Sequence, residues 1–310
     1  MANTRDIRRR IKSIQNTKKI TKAMEMVASS KMRKAVESVL ATRPYASLAW
    51  QLILNVSAKT EEELHPLLEK KKEVRKIGIV LVSSNRGLCG SFNQQVIKAA
   101  TNYLKQEKGE SQALEFEFIT MGKKGARTIV NFGYSVVAEF DKADVLEEVS
   151  EIRPLAKIVT DDYLGGKYDR VVLVYTDFVS SLKQLPRVKQ ILPIERVEEE
   201  MLGVVGEKSL EHENIKTLKQ KDEQPAEYLF EPDPQVILDE LLPRLLEVQI
   251  FQALLESNAS EHSARMLAMR NASDAAGDMI DELTLTYNQA RQAAITKEIA
   301  EIAGGKAALE

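Results

Sequence analysis

Residues 241–294 read LLPRLLEVQIFQALLESNASEHSARMLAMRNASDAAGDMIDELTLTYNQARQAA. Steps of four and three residues from Leu241 visit Leu241, Leu245, Val248, Gln252, Leu255, Ala259, His262, Met266, Met269, Ser273, Ala276, Ile280, Leu283, Tyr287, Ala290 and Ala294. Thirteen of those sixteen positions are apolar, which an isolated surface helix would not sustain over such a distance. A seven-residue repeat of this length implies a left-handed supercoil with a partner helix. At 1.5 Å per residue, residues 244–303 would reach ~90 Å, more than one globular domain buries, so the helix is expected to protrude. Asp233 is placed to cap it, with Pro234 in the first turn, where a missing N–H costs little. Pro243 predicts a kink or a restart.

The partner lies at the other end of the chain. Residues 1–43 contain neither Gly nor Pro, and eleven of the 14 glycines fall between 78 and 206. Since Gly and Pro punctuate elements, the order is long helix, α/β middle, long helix. Asn3 or Thr4 can cap the first helix, with Asp6 favourable in its first turn. Ile7, Ile11 and Ile14 form one stripe, and Ile20, Met24 and Val27 continue it slightly rotated. Pro44 predicts a kink or break, with Leu48 to Val56 resuming the helix.

Charge is distributed unevenly. The 310 residues sum to -2, yet residues 1–34 hold 11 Lys/Arg against Asp6 and Glu25. That is +9, which leaves -11 for the remainder and points to a partner rather than to a fold. The Arg-rich, acid-poor start looks like a mitochondrial presequence, but the helical pattern runs through it without a cleavage-like break. No run of ~18 apolar residues marks a membrane span. A single Cys excludes a disulfide framework or a multi-cysteine metal site, and His65, His212 and His262 form no metal-binding pair. Aromatic residues are only 5%, as suits long helices packed through Ala, Ile, Leu and Met.

The middle alternates between strands and helices. IGIVLVS (77–83), FEFITM (116–121) and VVLVY (171–175) suit buried parallel strands. Helical stretches near 93–106, 123–131 and 151–164 separate them, giving an open, Rossmann-like α/β sheet over 74–194. Residues 195–225 are polar and charge-rich and read as a solvated insertion. The helical arms then occupy 1–57 and 226–310.

Candidate chemistry is sparse. Asn85-Arg86-Gly87-Leu88-Cys89-Gly90 follows the first strand, where a phosphate loop would lie, but it fits neither G-x-G-x-x-G nor the Walker pattern. Gly122-Lys123-Lys124-Gly125 holds the equivalent place after the next strand and is too short to specify nucleotide. Tight-turn requirements explain such glycines better. Cys89 lacks a nearby His and reads as a small buried side chain. The basic start lacks the interleaved aromatics of a nucleic-acid binder, and its apolar stripe needs a helix. Neither a catalytic residue, a cofactor site nor a metal site emerges.

Four ordered blocks carry a family resemblance. The opening Arg5–Lys34, with QNTKKITKAMEMVA at 15–28, resembles the start of the gamma subunit of F-type rotary ATP synthases. RGLCG at 86–90, YLFEPDP at 228–234, and SEHSARMLAM from 260 through YNQARQAAITKE at 287–298 are similar to the same family. The resemblance implies an antiparallel coiled coil of the terminal helices, threaded through a ring of three alpha and three beta subunits. It implies an α/β foot near the epsilon subunit and the membrane c-ring, one gamma per complex, and a peripheral place on the cytoplasmic face of a bacterial plasma membrane. The family member is a non-catalytic rotor shaft without a cofactor, and it does not bind nucleic acid.

Site roles follow from the same resemblance, position by position. Arg291 and Gln292 match the pair that contacts a beta-subunit loop. Arg265, Thr296 and Glu298 match further positions of beta contact or coupling, and Met24 matches the one near beta's acidic lever. Tyr228 falls in the block near the rotor ring or epsilon. The basic shaft residues Arg8, Arg9 and Lys12 are candidates from charge. Two departures stand out: 196–224 is longer than in the shortest members and has no Cys for a dithiol switch, and Lys306 stands where Ala or Cys is usual. The competing classes are an α/β nucleotide-binding enzyme with helical arms and a coiled-coil tether or nucleic-acid binder.

Overall fold

The computed structural model describes residues 4–58, 65–69, 71, 73–110, 114–146, 148–194 and 234–307. Helix α1 spans Thr4–Ala58 and α5 spans Pro234–Ala307. Between them lie β1 (Lys76–Val82), α2 (Phe92–Glu110), β2 (Glu115–Met121), α3 (Lys123–Asn131), β3 (Ser135–Phe140), α4 (Arg153–Leu164), β4 (Arg170–Phe178) and β5 (Gln184–Leu192). The segment 195–225 and Tyr228 lie outside the described residues. By contacts the chain divides into two compact units, Ser29–Ala264 on the one hand, Met1–Ala28 with Arg265–Glu310 on the other.

The larger unit is built on a five-stranded sheet in the order β3-β2-β1-β4-β5. β1 to β4 run parallel, and β5 is antiparallel to β4. β1 is buried at six of its seven positions because both faces are covered, which is why it reads as a continuous apolar run. Its alternate residues still part to opposite faces. Ile77, Ile79 and Leu81 meet Val96, Ala100 and Leu104 of α2. Val80 and Val82 join the other core, with Leu155 and Val159 of α4, Ala35 and Val39 of α1, and Leu242, Leu246, Ile250 and Leu254 of α5. Each fully buried Val, Leu or Ile among them contributes roughly 1.5–3 kcal/mol.

The structure adds two strands that hydropathy did not indicate. β3 is an edge strand exposed at every second residue. β5 is an edge strand carrying Pro186, Arg187 and Lys189, and an edge tolerates both a proline and charge. Neither proline interrupts its helix: α1 runs on through Pro44 and α5 through Pro243. A proline removes one main-chain bond, and the turns on either side of it keep their own.

In the smaller unit, α1 and α5 run antiparallel. Arg270 Nε lies 3.6 Å from Glu25 Oε1, and a Cβ added at Gly277 would meet Lys18 Nζ at 2.8 Å. Facing residue numbers add to 295 at both contacts, so one register holds the pair. On α5, Met269, Ser273 and Ala276 are buried and Ile280, Leu283, Tyr287 and Ala290 are half-buried, as the heptad predicts.

The α1 stripe requires correction beyond Ile14. Ile20 is 60% exposed and Val27 is 56% exposed, while Thr21, Glu25 and Ala28 are buried. The seam keeps strict 4-3 steps through Ile7, Ile11, Ile14, Lys18, Thr21, Glu25 and Ala28, because only that spacing keeps facing the partner helix.

A second correction concerns α5 from Val248 to Ser263, where every residue is buried, not only the seam positions. This part of the helix lies inside the α/β unit and is enclosed on all sides.

Candidate functional site

The place where open α/β folds bind ligands is the crevice beyond the carboxyl ends of the strands, at the switch in strand order. Here that switch lies between β1 and β4, and the helix α5 occupies its surroundings. Ser260 Oγ donates to Thr176 O beyond the middle of β4 (3.2 Å), and Ser263 Oγ donates to Ser181 O (2.7 Å). The loop 85–90 after β1 is closed on itself and on α5. Ser84 Oγ donates to Arg86 O at 2.6 Å, Ser84 N donates to Asn93 Oδ1 at 3.0 Å, and Asn93 Nδ2 reaches the buried Cys89 sulfur at 3.3 Å. Leu88 and Gly90 take left-handed backbone (φ 64° and 56°), and Gly90 faces the main-chain oxygen of Ala264. The glycines at 122 and 125 serve close packing, since a Cβ at either would collide with Ser83. The polar groups of this crevice are engaged in internal contacts.

The loop 141–146 after β3 joins the same region. Lys142 Nζ is buried 2.7 Å from Glu261 Oε2, and His262 Nε2 lies 2.9 Å from Asp144 O. The Lys31 ammonium, bonded to Asp144, holds that carboxyl below the ordinary aspartate range against the opposing effect of burial. On β4, Asp177 is fully buried with Arg187 Nε 2.8 Å from Oδ2, an ion pair whose angle falls short of a hydrogen bond.

Apart from Tyr228, the candidate interaction residues lie in the smaller unit and do not form one cluster. Arg8, Arg9 and Lys12 are exposed on α1, and Arg9 pairs with Asp6 at 3.3 Å. Met24 is half-buried beside Glu25, which draws in Lys22 (2.9 Å) and Arg270. Arg265 is half-buried. At the common register Thr4 faces Arg291, so Gln292, Thr296 and Glu298 run past the described partner helix. Residues 291–303 are exposed throughout. Among them Ile295, Ile299 and Ile302, 49%, 61% and 69% exposed, line one side at helical spacing.

Sequence reasoning missed Lys142, Asp144, Asn258 and Glu261. The available signal was the polar run Ser257-Asn258-Ala259-Ser260-Glu261-His262-Ser263, which interrupts an otherwise apolar helix.

The full length of the chain has relatives. A family model described as ATP synthase matches residues 3–309. The chain is 41% identical to the ATP synthase gamma chain of Azoarcus sp. strain BH72, with all of both chains covered. It belongs to the ATP synthase gamma-chain family. The gamma chain of Pelotomaculum thermopropionicum is 43% identical, again over both whole chains. Solved structures that share the fold include chains of mitochondrial ATP synthases. A chain of the Euglena gracilis ATP synthase OSCP/F1/c-ring structure superposes with a TM-score of 0.63 at 18% identity, covering 99% of this chain and 94% of that one. A chain of the Tetrahymena thermophila central stalk/c-ring structure gives 0.56 at 21% identity, covering 82% and 99%. At those identities the likeness concerns the fold. Among the described residues, no helix of this gamma-chain family member is long and apolar enough to cross a membrane.

Proposed function

We propose that the chain is the central rotor shaft of an F-type ATP synthase, coupling proton flow through a membrane c-ring to ATP synthesis and hydrolysis in a ring of three alpha and three beta subunits. The observation that carries this is the end-to-end similarity to gamma chains, across both helices and the α/β unit, at about 40% identity. The geometry supplies a physical rationale. Three chemically equivalent sites in a ring adopt different states at once only if something asymmetric stands on the axis. Two unequal helices, one basic at its start and the other extending beyond it, are asymmetric at every level. Coupling is then reciprocal, so ATP hydrolysis drives the same rod backwards.

In this reading the chain supplies no catalytic residue and holds no cofactor. Arg291, Gln292, Thr296 and Glu298, all exposed, contact beta, and the stripe Ile295, Ile299, Ile302 bears on the inner wall of the ring. Met24 and Arg265 act where the paired helices meet beta. Tyr228 lies near epsilon or the c-ring, one gamma chain serves each complex, and the assembly sits on the cytoplasmic face of a bacterial plasma membrane. The test is to combine the purified chain with alpha and beta subunits. The expected product is one chain per three alpha and three beta, with ATPase activity that none of the components shows alone. Micromolar ATP binding by the isolated chain, one per chain, would overturn the reading and favour a nucleotide-using enzyme.

A further inference from the structure

Polar groups that the partner-binding reading leaves unused converge on one short loop, residues 141–146. Lys142 is 4% exposed, its ammonium bonded to Glu261 of α5 and stacked 5.3 Å from the Phe92 ring centroid. The main-chain oxygen of Ala143 accepts from Asn258 Nδ2 at 3.2 Å, and that of Asp144 meets His262. The Asp144 carboxylate takes Lys31 of α1. Asn85, after β1, fixes the loop from behind by donating to Lys142 O at 2.8 Å. One loop therefore grips both long helices and is itself anchored to the sheet.

The grips have a particular place in the chain. Lys31 lies three residues beyond Ala28, and His262 lies three residues before Arg265, the positions at which α1 and α5 pass from one compact unit to the other. Apolar burial is non-directional, so it specifies register less sharply than a directed polar contact does. A buried charge pair is different, since displacement leaves an unpaired charge out of water. Interlinked polar contacts stiffen one another. Such a pair adds little stability over apolar residues of equal volume, so fixing the helices in register is the better reason for its presence.

We propose that loop 141–146 is a torque clamp: Lys142, paired with Glu261, and Asp144, paired with Lys31, lock α1 and α5 to the α/β unit so that rotation of the one is delivered to the others. This rests on the rotor-shaft reading. Lys142 and Glu261 are positioning residues that touch neither substrate nor subunit. The test uses the assembled enzyme in inverted membrane vesicles, where proton pumping and ATP hydrolysis are measured side by side. The double substitution Lys142→Met with Glu261→Leu keeps the volume and removes the charges. It is expected to assemble and hydrolyse ATP within twofold of the parent while pumping at least threefold fewer protons per ATP. Lys142→Arg should retain the parent ratio, which a purely volumetric role would not require. An assembled double variant with the parent ratio overturns the clamp. If the double variant does not assemble, Asp144→Asn, which perturbs only a partly exposed pair, is measured in the same way, and a parent ratio there overturns it equally. A parent chain that fails to join alpha and beta would instead remove the shaft reading.

Discussion

At Gly122 the backbone φ is 102°, and a Cβ there would fall on the Ser83 carbonyl. No side-chain rotation relieves that clash, because the position of Cβ is set by the backbone and the oxygen it meets is main chain. Gly122→Ala is expected to cost roughly 2–5 kcal/mol, combining backbone strain with overpacking. Urea unfolding of the isolated chain reads it, and a loss under ~1 kcal/mol would show the β2–α3 turn to be adaptable. His65 presents a different residue-scale case. Its Nδ1 accepts from the Leu67 amide at 3.1 Å, and its Nε2 lies 3.2 Å from Asp239 Oδ1. The neutral ring with the proton on Nε2 satisfies both contacts. Burial lowers its pKa below 6.5, with Asp239 opposing. The unfolded chain then takes up the proton first on acidification, so this contribution is present above the unfolded value near 6.5 and is lost as pH falls through the lower folded value. Unfolding midpoints at pH 7.5 and pH 5 should differ less in His65→Asn than in the parent. An unchanged difference would assign the acid sensitivity elsewhere.

Between the paired helices, what faces the seam is decided by register, and hydrophobicity follows only where it can. Gly277 sits opposite Lys18, where a Cβ would touch only the mobile end of that side chain. Gly277→Ala should therefore stabilise the smaller unit by about 0.5–1 kcal/mol, the difference in helix propensity, as Lys18 swings aside. A loss of stability would mean that Lys18 is held more firmly than its exposure implies. The same opposition explains why the sequence misled along α1. Lys18, Thr21 and Glu25 occupy seam positions because Gly277 and Arg270 leave room or supply charge across from them. Ile20 and Val27 are more apolar and point outward. On α5 the heptad was legible from Met269 to Ala290, where small and apolar residues recur at the required steps. It was misleading before Ser263, where the helix is enclosed and its polar residues bond to the α/β unit rather than to water. The central strands were legible because both their faces are covered. β3 and β5 were not, since an edge strand may alternate, carry charge and hold a proline without losing its pairing.

At the scale of the whole molecule, the charge gradient makes the most exacting demand. Residues 1–34 carry +9, whereas residues 240–303 hold 10 Asp/Glu against 5 Lys/Arg, only -5. The antiparallel partner cannot neutralise that excess, and Arg8, Arg9 and Lys12 are exposed. On the proposed rotor-shaft reading this surplus would face the inner surface of the ring, where partly desolvated attraction outlasts salt screening. Residues 196–224, with 8 Asp/Glu and 5 Lys/Arg, carry mixed charge in the sequence, and solvent-exposed ion pairs in general are worth roughly 0–1 kcal/mol each. Changing Arg8, Arg9 and Lys12 together to Glu should therefore weaken assembly or lower the protons pumped per ATP hydrolysed. Removing 196–224 should leave that ratio near the parent value, whatever it does to the overall rate. Both are measured in inverted vesicles at low and moderate salt, and the reversal should respond to salt more than the deletion does. If the deletion uncouples while the triple reversal does not, the charge that matters lies in 196–224, and the basic start of α1 serves solubility rather than coupling.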